Sequence, residues 1–277
     1  MPTNDINSIS VIIPFFNAAN SIELSLNSVF KQSLLPLEII IVNDASSKEE
    51  YLELIKVINQ YNNELVPIYH YSIDVNRGAS FCRNIAINHA KGKYLAFLDA
   101  DDVWHERKLQ LQYAFMEKNK CSMSGHGYIF NLNNERFTDV LPLTQKVEKW
   151  HFIYKNPFFT PTVMALRDGF KLFDDSFRRV DDYKCWLENF KEGEVYLLTS
   201  ELAGGFKHPI GAGGLTSSVD KMHKAYVLVL RALYNENVIS KMFFYLALTI
   251  EFFKYPMRLL LKYIKGIYST VEAKTKP

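Results

Sequence analysis

A chain of 277 residues with 48% hydrophobic and 22% charged residues has the composition of a folded protein large enough to bury an α/β core. That composition excludes disordered and collagen-like chains, and no internal period of solenoid or propeller type is present. The net charge of +2 conceals an asymmetry: residues 1–206 hold 21 basic and 26 acidic residues, whereas 11 and 4 follow from Lys207 onward. A C-terminal part carrying +7 points to an anionic surface as partner.

"SISVIIPFF" (8–16) is a β-branched apolar run and reads as a buried strand. "NSIE" (20–23) has capping-box spacing in Asn20 and Glu23, and Ile22, Leu26, Val29 and Phe30 then form one apolar helical face. "LEIIIVND" (37–44) is a second buried strand ending in an acid, and "SKEEYLELIKVINQY" (47–61) is a helix with Ser47 and Glu50 at capping spacing. "LVPIYHY" predicts a third strand, "ASFCRNIAINHA" a helix and "KYLAFLDA" a fourth strand. Strands alternating with helices through short loops predict a parallel, doubly wound sheet. Ligands bind such sheets beyond the carboxyl ends of the strands, which would gather Phe16, Asn17, Asp44 and Asp99 to Asp102 at one edge. Past residue 120 the rhythm loosens. "CSMSGHGYIF" and "PFFTPTVMALR" look strand-like, "VDDYKCWLENFKEG" is a helix ending near Gly193, and "EVYLL" is a short strand. "KHPIGAGGLTSS" (207–218) is a glycine-rich loop, followed by apolar and basic helical segments.

Three cysteines, Cys82, Cys121 and Cys185, are too few and too scattered for a disulfide framework or a C-x-x-C zinc site. They are expected to be reduced and buried, as in a cytoplasmic protein. "MPTNDINSIS" has neither a basic n-region nor an apolar h-region, so no secretory signal is expected.

The chemistry concentrates in "FLDADD", where an apolar strand runs into Asp99, Asp101 and Asp102. Hard divalent cations take carboxylate oxygens and bridge one or two of them to substrate phosphates. Asp99 and Asp101 would project towards such a cation, and Asp102 would cap a helix starting near Trp104. The same residues also suit plain loop and cap positions. "FLDADDV" also satisfies the D-x-D-x-V pattern of haloacid-dehalogenase-type phosphatases, whose first Asp, here Asp99, is a nucleophile. In that case the motif should follow the first strand, whereas three strands precede it.

"SVIIPFFNAANSIELSLNSVFKQSLLPLEIIIVNDAS", "NRGASFCRNIAINHAKGKYLAFLDADD" and "VDDYKCWLENF" resemble, in motif order and spacing, family-2 glycosyltransferases of the GT-A fold, over about residues 8 to 218. Such enzymes are abundant in bacterial surface-polysaccharide assembly. The resemblance implies a Rossmann-like, mostly parallel sheet flanked by helices (1–218), followed by a helical, basic amphipathic region (219–277). It implies that Pro14, Phe15 and Asn17 form the first nucleotide-binding turn, and that Asp44 accepts from the uracil N3–H. Arg83 would lie near the nucleotide and Asp99. Asp99 would hold the ribose or donor sugar, and Asp101 would coordinate Mn²⁺ or Mg²⁺ on the diphosphate, with Asp99 and His208 as further candidate ligands and Lys207 nearby. The family's Glu-Asp pair reads Asp181-Asp182 here, with Asp182 as general base. Taken alone, those two acids equally suit the dipole at a helix N-terminus. Thr160 and Thr162 fall where the family lines its donor-sugar and acceptor pocket.

"MFFYLALTIEFF" (242–253) is apolar but shorter than the ~20 residues that span a bilayer. Lys254, Arg258, Lys262 and Lys265 follow on one helical stripe, a pattern suited to anionic headgroups or to a solvated face. No nucleic-acid-binding module accompanies the stripe. The expectation is therefore an inverting, metal-dependent transferase, peripheral on the inner face of a bacterial inner membrane. It would move a hexose from a UDP-sugar to an undecaprenyl-diphosphate-linked saccharide in O-antigen or capsule assembly, with β-1,3-glucosyl or galactosyl transfer inside that class. A membrane-bound sugar-nucleotide-binding protein would keep Asp44 and Asp99 but need no base.

Overall fold

The structure, a computed structural model, describes residues 8–62, 65–133, 137, 143–206 and 218–275. Four strands, β1 (Ile9–Phe15), β2 (Glu38–Asp44), β3 (Ile68–Ile73) and β4 (Tyr94–Phe97), run parallel in the order β3-β2-β1-β4. Three helices connect them: α1 (Ala19–Phe30), α2 (Lys48–Tyr61) and α3 (Ala79–His89). The strand alternation decides both faces. Val11 pairs with Ile39 and Ala96, and these three belong to one apolar cluster. Their neighbours in register, Ile12, Ile40 and Phe97, belong to the other. Fully burying side chains of this size contributes about 1.5–3 kcal/mol each, which holds the register against a one-residue slip.

Ser47 caps α2 by accepting from the Glu50 N–H at 3.4 Å. The cap expected at Asn20 is corrected: α1 starts at Ala19, and the Ala19 N–H is taken by Glu50 Oε2 at 2.8 Å. A carboxylate from α2 supplies that acceptor, so the local capping box is not used.

"DADD" forms a turn rather than a helix start. The Asp102 N–H donates to the Asp99 carbonyl at 3.1 Å, and the chain enters a short strand, β5 (Asp102–Trp104). The helix expected near Trp104 is α4 (Lys108–Asn119). Asp102 is therefore no helix cap. Its carboxylate accepts from the Tyr128 hydroxyl at 2.6 Å, and its carbonyl from Ser25 Oγ at 2.7 Å.

The remaining strands extend the sheet. They are β6 (Met123–Phe130), β7 (Thr144–Lys146), β8 (Met164–Leu166) and β9 (Val195–Gly205). The order continues β4-β8-β6-β9-β5, with β7 on β9, and four of these pairings are antiparallel. "EVYLL" is thus part of an eleven-residue strand, long because β6, β7 and β5 all pair with it. "PFFTPTVMALR" divides into a 3₁₀ turn at Thr160–Thr162 and β8. Two short helices, α5 (His151–Tyr154) and α6 (Asp181–Glu188), frame the edge at which β1, β2 and β4 end.

The chain closes with α7 (Val219–Asn235) and α8 (Lys241–Thr275). Val229, Leu230 and Leu233 of α7 and Phe243 and Ala247 of α8 join the same apolar cluster as Phe97 and Trp186. No change of core therefore marks the expected boundary at 218. Lys184 on α6 ties this packing to the end of α7 through Glu236 (2.6 Å) and pairs within its own helix with Glu188 (3.0 Å). Among the described residues, no helix is long and apolar enough to cross a membrane. Cys82, Cys121 and Cys185 are free and buried.

Gly205 lies opposite Asp102, and a Cβ there would run into Tyr128 Oη and Asp102 Oδ1. Gly205→Ala is expected to lose about 1–3 kcal/mol, as overpacked interiors do, and urea unfolding measures it.

Candidate functional site

A cleft of about 940 Å³ opens at the carboxyl ends of β1, β2 and β4. Its wall includes Phe16, Asp44, Asp99, Asp182, Tyr226 and Arg258, so the strand ends, α6, α7 and α8 all contribute. That volume lies in the range of about 300–1,000 Å³ usual for ligand clefts.

At the β2 end, Asp44 is buried and its two carboxylate oxygens accept from the backbone N–H groups of Arg77 (2.6 Å) and Gly78 (2.8 Å). Gly78 has φ +90°, a conformation that suits glycine, and it starts α3. Each carboxylate oxygen keeps a second lone pair, so Asp44 anchors the 76–78 loop and retains acceptor capacity. Asn17 braces the adjoining turn: its Oδ1 accepts from the Ser47 N–H at 2.9 Å, and its own N–H reaches Ser46 Oγ at 3.0 Å. Pro14 is half-buried within β1. Phe15 has no exposed surface and belongs to the core, which corrects the expectation of its side chain in the nucleotide turn. Its neighbour Phe16 is 50% exposed and lines the cleft instead.

At the centre stands Arg83 of α3, a buried guanidinium. It donates to Asp99 Oδ1 at 2.6 Å and lies 3.8 Å from Asp181 Oδ2. Burial would lower its pKa, but the Asp99 and Asp181 charges outweigh burial and raise it, fixing the cation. Asp181 also accepts from the Ser80 hydroxyl. Asp182, next along α6, takes the Asn156 amide on Oδ2 and the Tyr183 N–H on Oδ1, both at 2.8 Å. Burial, followed by the Asp181 charge, pushes the Asp182 carboxyl up to about 7. A carboxyl poised near neutral pH in a cleft is equipped to accept a proton.

Asp101 sits in the turn closed by the Asp99–Asp102 hydrogen bond and is not in the cleft wall. The Tyr128 hydroxyl feels Asp102, Asp99 and Asp101 together; after burial, their charges raise its pKa. Hard carboxylate oxygens on one turn are the donor set that Mg²⁺ or Mn²⁺ accepts when substrate phosphates complete its shell, so Asp99 and Asp101 fit such an ion. Among the described residues, no three His, Cys, Asp or Glu side chains group into a complete metal site. His208 and Lys207 lie outside the described residues.

Thr160 lines the cleft, whereas Thr162 is fully buried with its hydroxyl on the Phe159 carbonyl at 2.7 Å. Two wall residues, Asn156 and Arg178, were not singled out in the sequence. Asn156 reaches Asp182 from the segment after α5, with nothing local to mark it. Arg178 clamps Asn76 by its side-chain and main-chain oxygens, both at 2.8 Å, and its place in "RRVDD" just before the acidic pair was the available clue.

The family model described as "Glycosyl transferase family 2" matches residues 10–175, more than half of the chain. A relative from Escherichia coli, "UDP-Glc:alpha-D-GlcNAc-diphosphoundecaprenol beta-1,3-glucosyltransferase WfgD", is 28% identical over 187 residues, covering 68% of this chain and 71% of the relative. Among solved structures, S. aureus TarS 1-349 in complex with UDP-GlcNAc superposes with a TM-score of 0.64 at 19% identity, covering 82% of this chain and 67% of that one. The mannosyltransferase PcManGT from Pyrobaculum calidifontis, in complex with GDP-Man and Mn²⁺, superposes with a TM-score of 0.60 at 14% identity, covering 85% and 66%. These two show that the fold is that of GT-A glycosyltransferases.

The raised Asp182 pKa sets a pH dependence of stability. The folded carboxyl titrates at about 7 against 3.8 for the ordinary group, so between those values the folded chain holds the extra proton. Stability from this group is therefore full at low pH and is lost as pH rises towards 7. Asp182→Asn is expected to be more stable than the parent at pH 8 and to lose that advantage at pH 4, as read from urea unfolding across pH. An unchanged pH slope would refute the assignment.

Proposed function

The chain belongs to glycosyl transferase family 2, and we propose that it is an inverting, divalent-cation-dependent enzyme moving a hexose from a UDP-sugar to a lipid-linked saccharide. The observation that carries this reading is Asp182, a half-buried carboxyl raised to about 7 in the same cleft as the Asp99–Arg83 pair. Acceptor activation needs a base; leaving-group departure needs positive charge on the other side of the sugar.

Asp44 with the 76–78 loop, and Phe16, would hold the nucleoside. Arg83 would fix Asp99 towards the ribose or the donor sugar. Asp99 and Asp101 would supply oxygens to Mn²⁺ or Mg²⁺, which when bound neutralises charge developing on the diphosphate. Asp182 would take the proton of the acceptor hydroxyl as its oxygen bonds to C1. The C1–O bond to the diphosphate breaks, its electron pair leaves with UDP, and one displacement inverts the anomeric centre. Asp181, held by Arg83 and Ser80, would keep the start of α6 in place.

The acceptor reading draws support from the E. coli relative, whose name specifies a diphosphoundecaprenol acceptor and β-1,3-glucosyl transfer. It suits O-antigen or capsule repeat-unit assembly by a peripheral protein on the inner face of a bacterial inner membrane. On α8, Phe252 (72% exposed) and Phe253 (63%) stand in solvent close to basic residues, a surface suited to anionic lipid. The phosphatase reading is set aside by family membership and by Arg83, which occupies one oxygen of the would-be nucleophile Asp99.

Asp182→Asn is expected to bind UDP-glucose or UDP-galactose as the parent does while kcat falls about 10²–10⁴-fold, the usual contribution of a general base. A fully active variant would sink the base assignment. Asp101→Ala should lose the Mn²⁺-dependent part of UDP affinity, seen by titration calorimetry with and without EDTA; unchanged metal dependence would remove Asp101 from the site.

A further inference from the structure

On the Asn156 side of Asp182 the cleft wall becomes cationic. Lys155, adjacent to Asn156, lines it together with Lys254 and Arg258, one turn apart on α8. Lys254 donates to the Tyr154 carbonyl, so the helix and the 154–156 segment are joined at this point. Arg258 pairs with Glu251, a buried carboxylate that also meets His223 Nδ1 at 2.8 Å. Lys155, Lys254 and Arg258 thus share this part of the wall with one carboxylate, Glu251. Burial lowers the Lys254 pKa; Glu251 opposes that effect, and the charges of Arg258 and Lys155 add to it. Like-charge repulsion of this kind is relieved when an anion arrives.

A second feature lies beside the first. Phe253, Met257 and Leu261 run along α8 at the same four-residue spacing, each offset by one position from Lys254, Arg258 and the next turn. They are 63%, 63% and 52% exposed. A row of basic groups opening into the cleft and an apolar row beside it match an amphipathic ligand with a phosphate head and a hydrocarbon tail.

We propose that Lys155, Lys254 and Arg258 form a second anion site, which holds the diphosphate of a polyprenyl-linked acceptor while its sugar hydroxyl reaches Asp182, with the lipid chain lying along Phe253, Met257 and Leu261. This rests on the reading above, in which the donor diphosphate belongs to the Asp99–Asp101 side. The two diphosphates then occupy opposite ends of one cleft, with the base between them. Arg258 keeps Glu251 as counter-ion when the site is empty, and Lys155 is exposed and free to swing onto a ligand.

The test uses the full chain saturated with UDP and Mn²⁺, titrated with farnesyl diphosphate. Binding is expected despite the filled donor site, and Lys254→Met and Lys155→Met should each weaken it about tenfold or more. UDP affinity should stay unchanged in both variants, which also reports that they are folded. Competition between UDP and farnesyl diphosphate, or equal affinity in parent and variants, would overturn the site. A parallel arm uses phosphatidylglycerol vesicles. If the variants lose vesicle binding but keep farnesyl diphosphate, these cations serve lipid headgroups and the proposal fails. Native chain that binds no UDP refutes the donor reading, whereas chain that binds UDP but not farnesyl diphosphate refutes this site alone.

Discussion

One buried guanidinium organises the cleft. Three carboxylates, Asp99, Asp181 and Asp182, approach each other from the end of β4 and the start of α6, and without a cation between them they would not share the space. Arg83 supplies it from α3, at 2.6 Å from Asp99 and 3.8 Å from Asp181. A desolvated arginine is costly, and two acidic partners meet that cost. The same contact docks the helical layer that carries the acidic pair onto the strand that carries the "DADD" turn, so the electrostatics and the packing are one arrangement.

The distribution of partners explains why the two neighbouring acids differ. Asp181 has the guanidinium and the Ser80 hydroxyl. Asp182 accepts, among the described residues, from two neutral donors, the Asn156 amide and the Tyr183 N–H, and it lies beside the charge of Asp181. Burial, and after it the Asp181 charge, push Asp182 towards protonation, and acid–base chemistry needs a group tuned in this way by its surroundings. Backbone strain falls in the same region: Asn17, Ala45 and Val180, following β1, following β2 and preceding α6, all adopt positive φ. Such positions cost about 1–3 kcal/mol each and persist where surrounding contacts over-determine them.

How much was legible in the sequence depended on the range of the deciding interaction. The continuous apolar runs in "SVIIPF" and "EIIIV" placed the parallel strands, because burial on two sides removes the polar alternation of a half-exposed strand. Ser47 and Glu50 were legible as a cap because donor and acceptor are three residues apart. The same pattern at Asn20 misled, since Glu50 reaches Ala19 from another helix. Asp102 misled for a related reason: its fate is set by Tyr128, 26 residues away, and by Gly205, 103 residues away. Asn156 could not be seen at all, because only the folded chain brings it to Asp182.

The C-terminal helices shift the balance of the whole cleft. Their basic stripe, read along the sequence, suggests a face turned outward to headgroups. In the fold, α7 and the first half of α8 pack into the core that contains Phe97 and Trp186, so Lys254 and Arg258 are carried to the wall of the cleft itself. The exposed apolar side chains lie on other faces of the same helix. One element therefore contributes to the site with one side and leaves an apolar surface open with another. For the lipid-linked acceptor proposed above, that geometry would bear directly on catalysis, because the acceptor hydroxyl would have to meet Asp182 from that surface. Packing of α8 against α5 and α7 would set this approach, and the Lys254–Tyr154 contact ties the 154–156 segment, and with it Asn156, to α8.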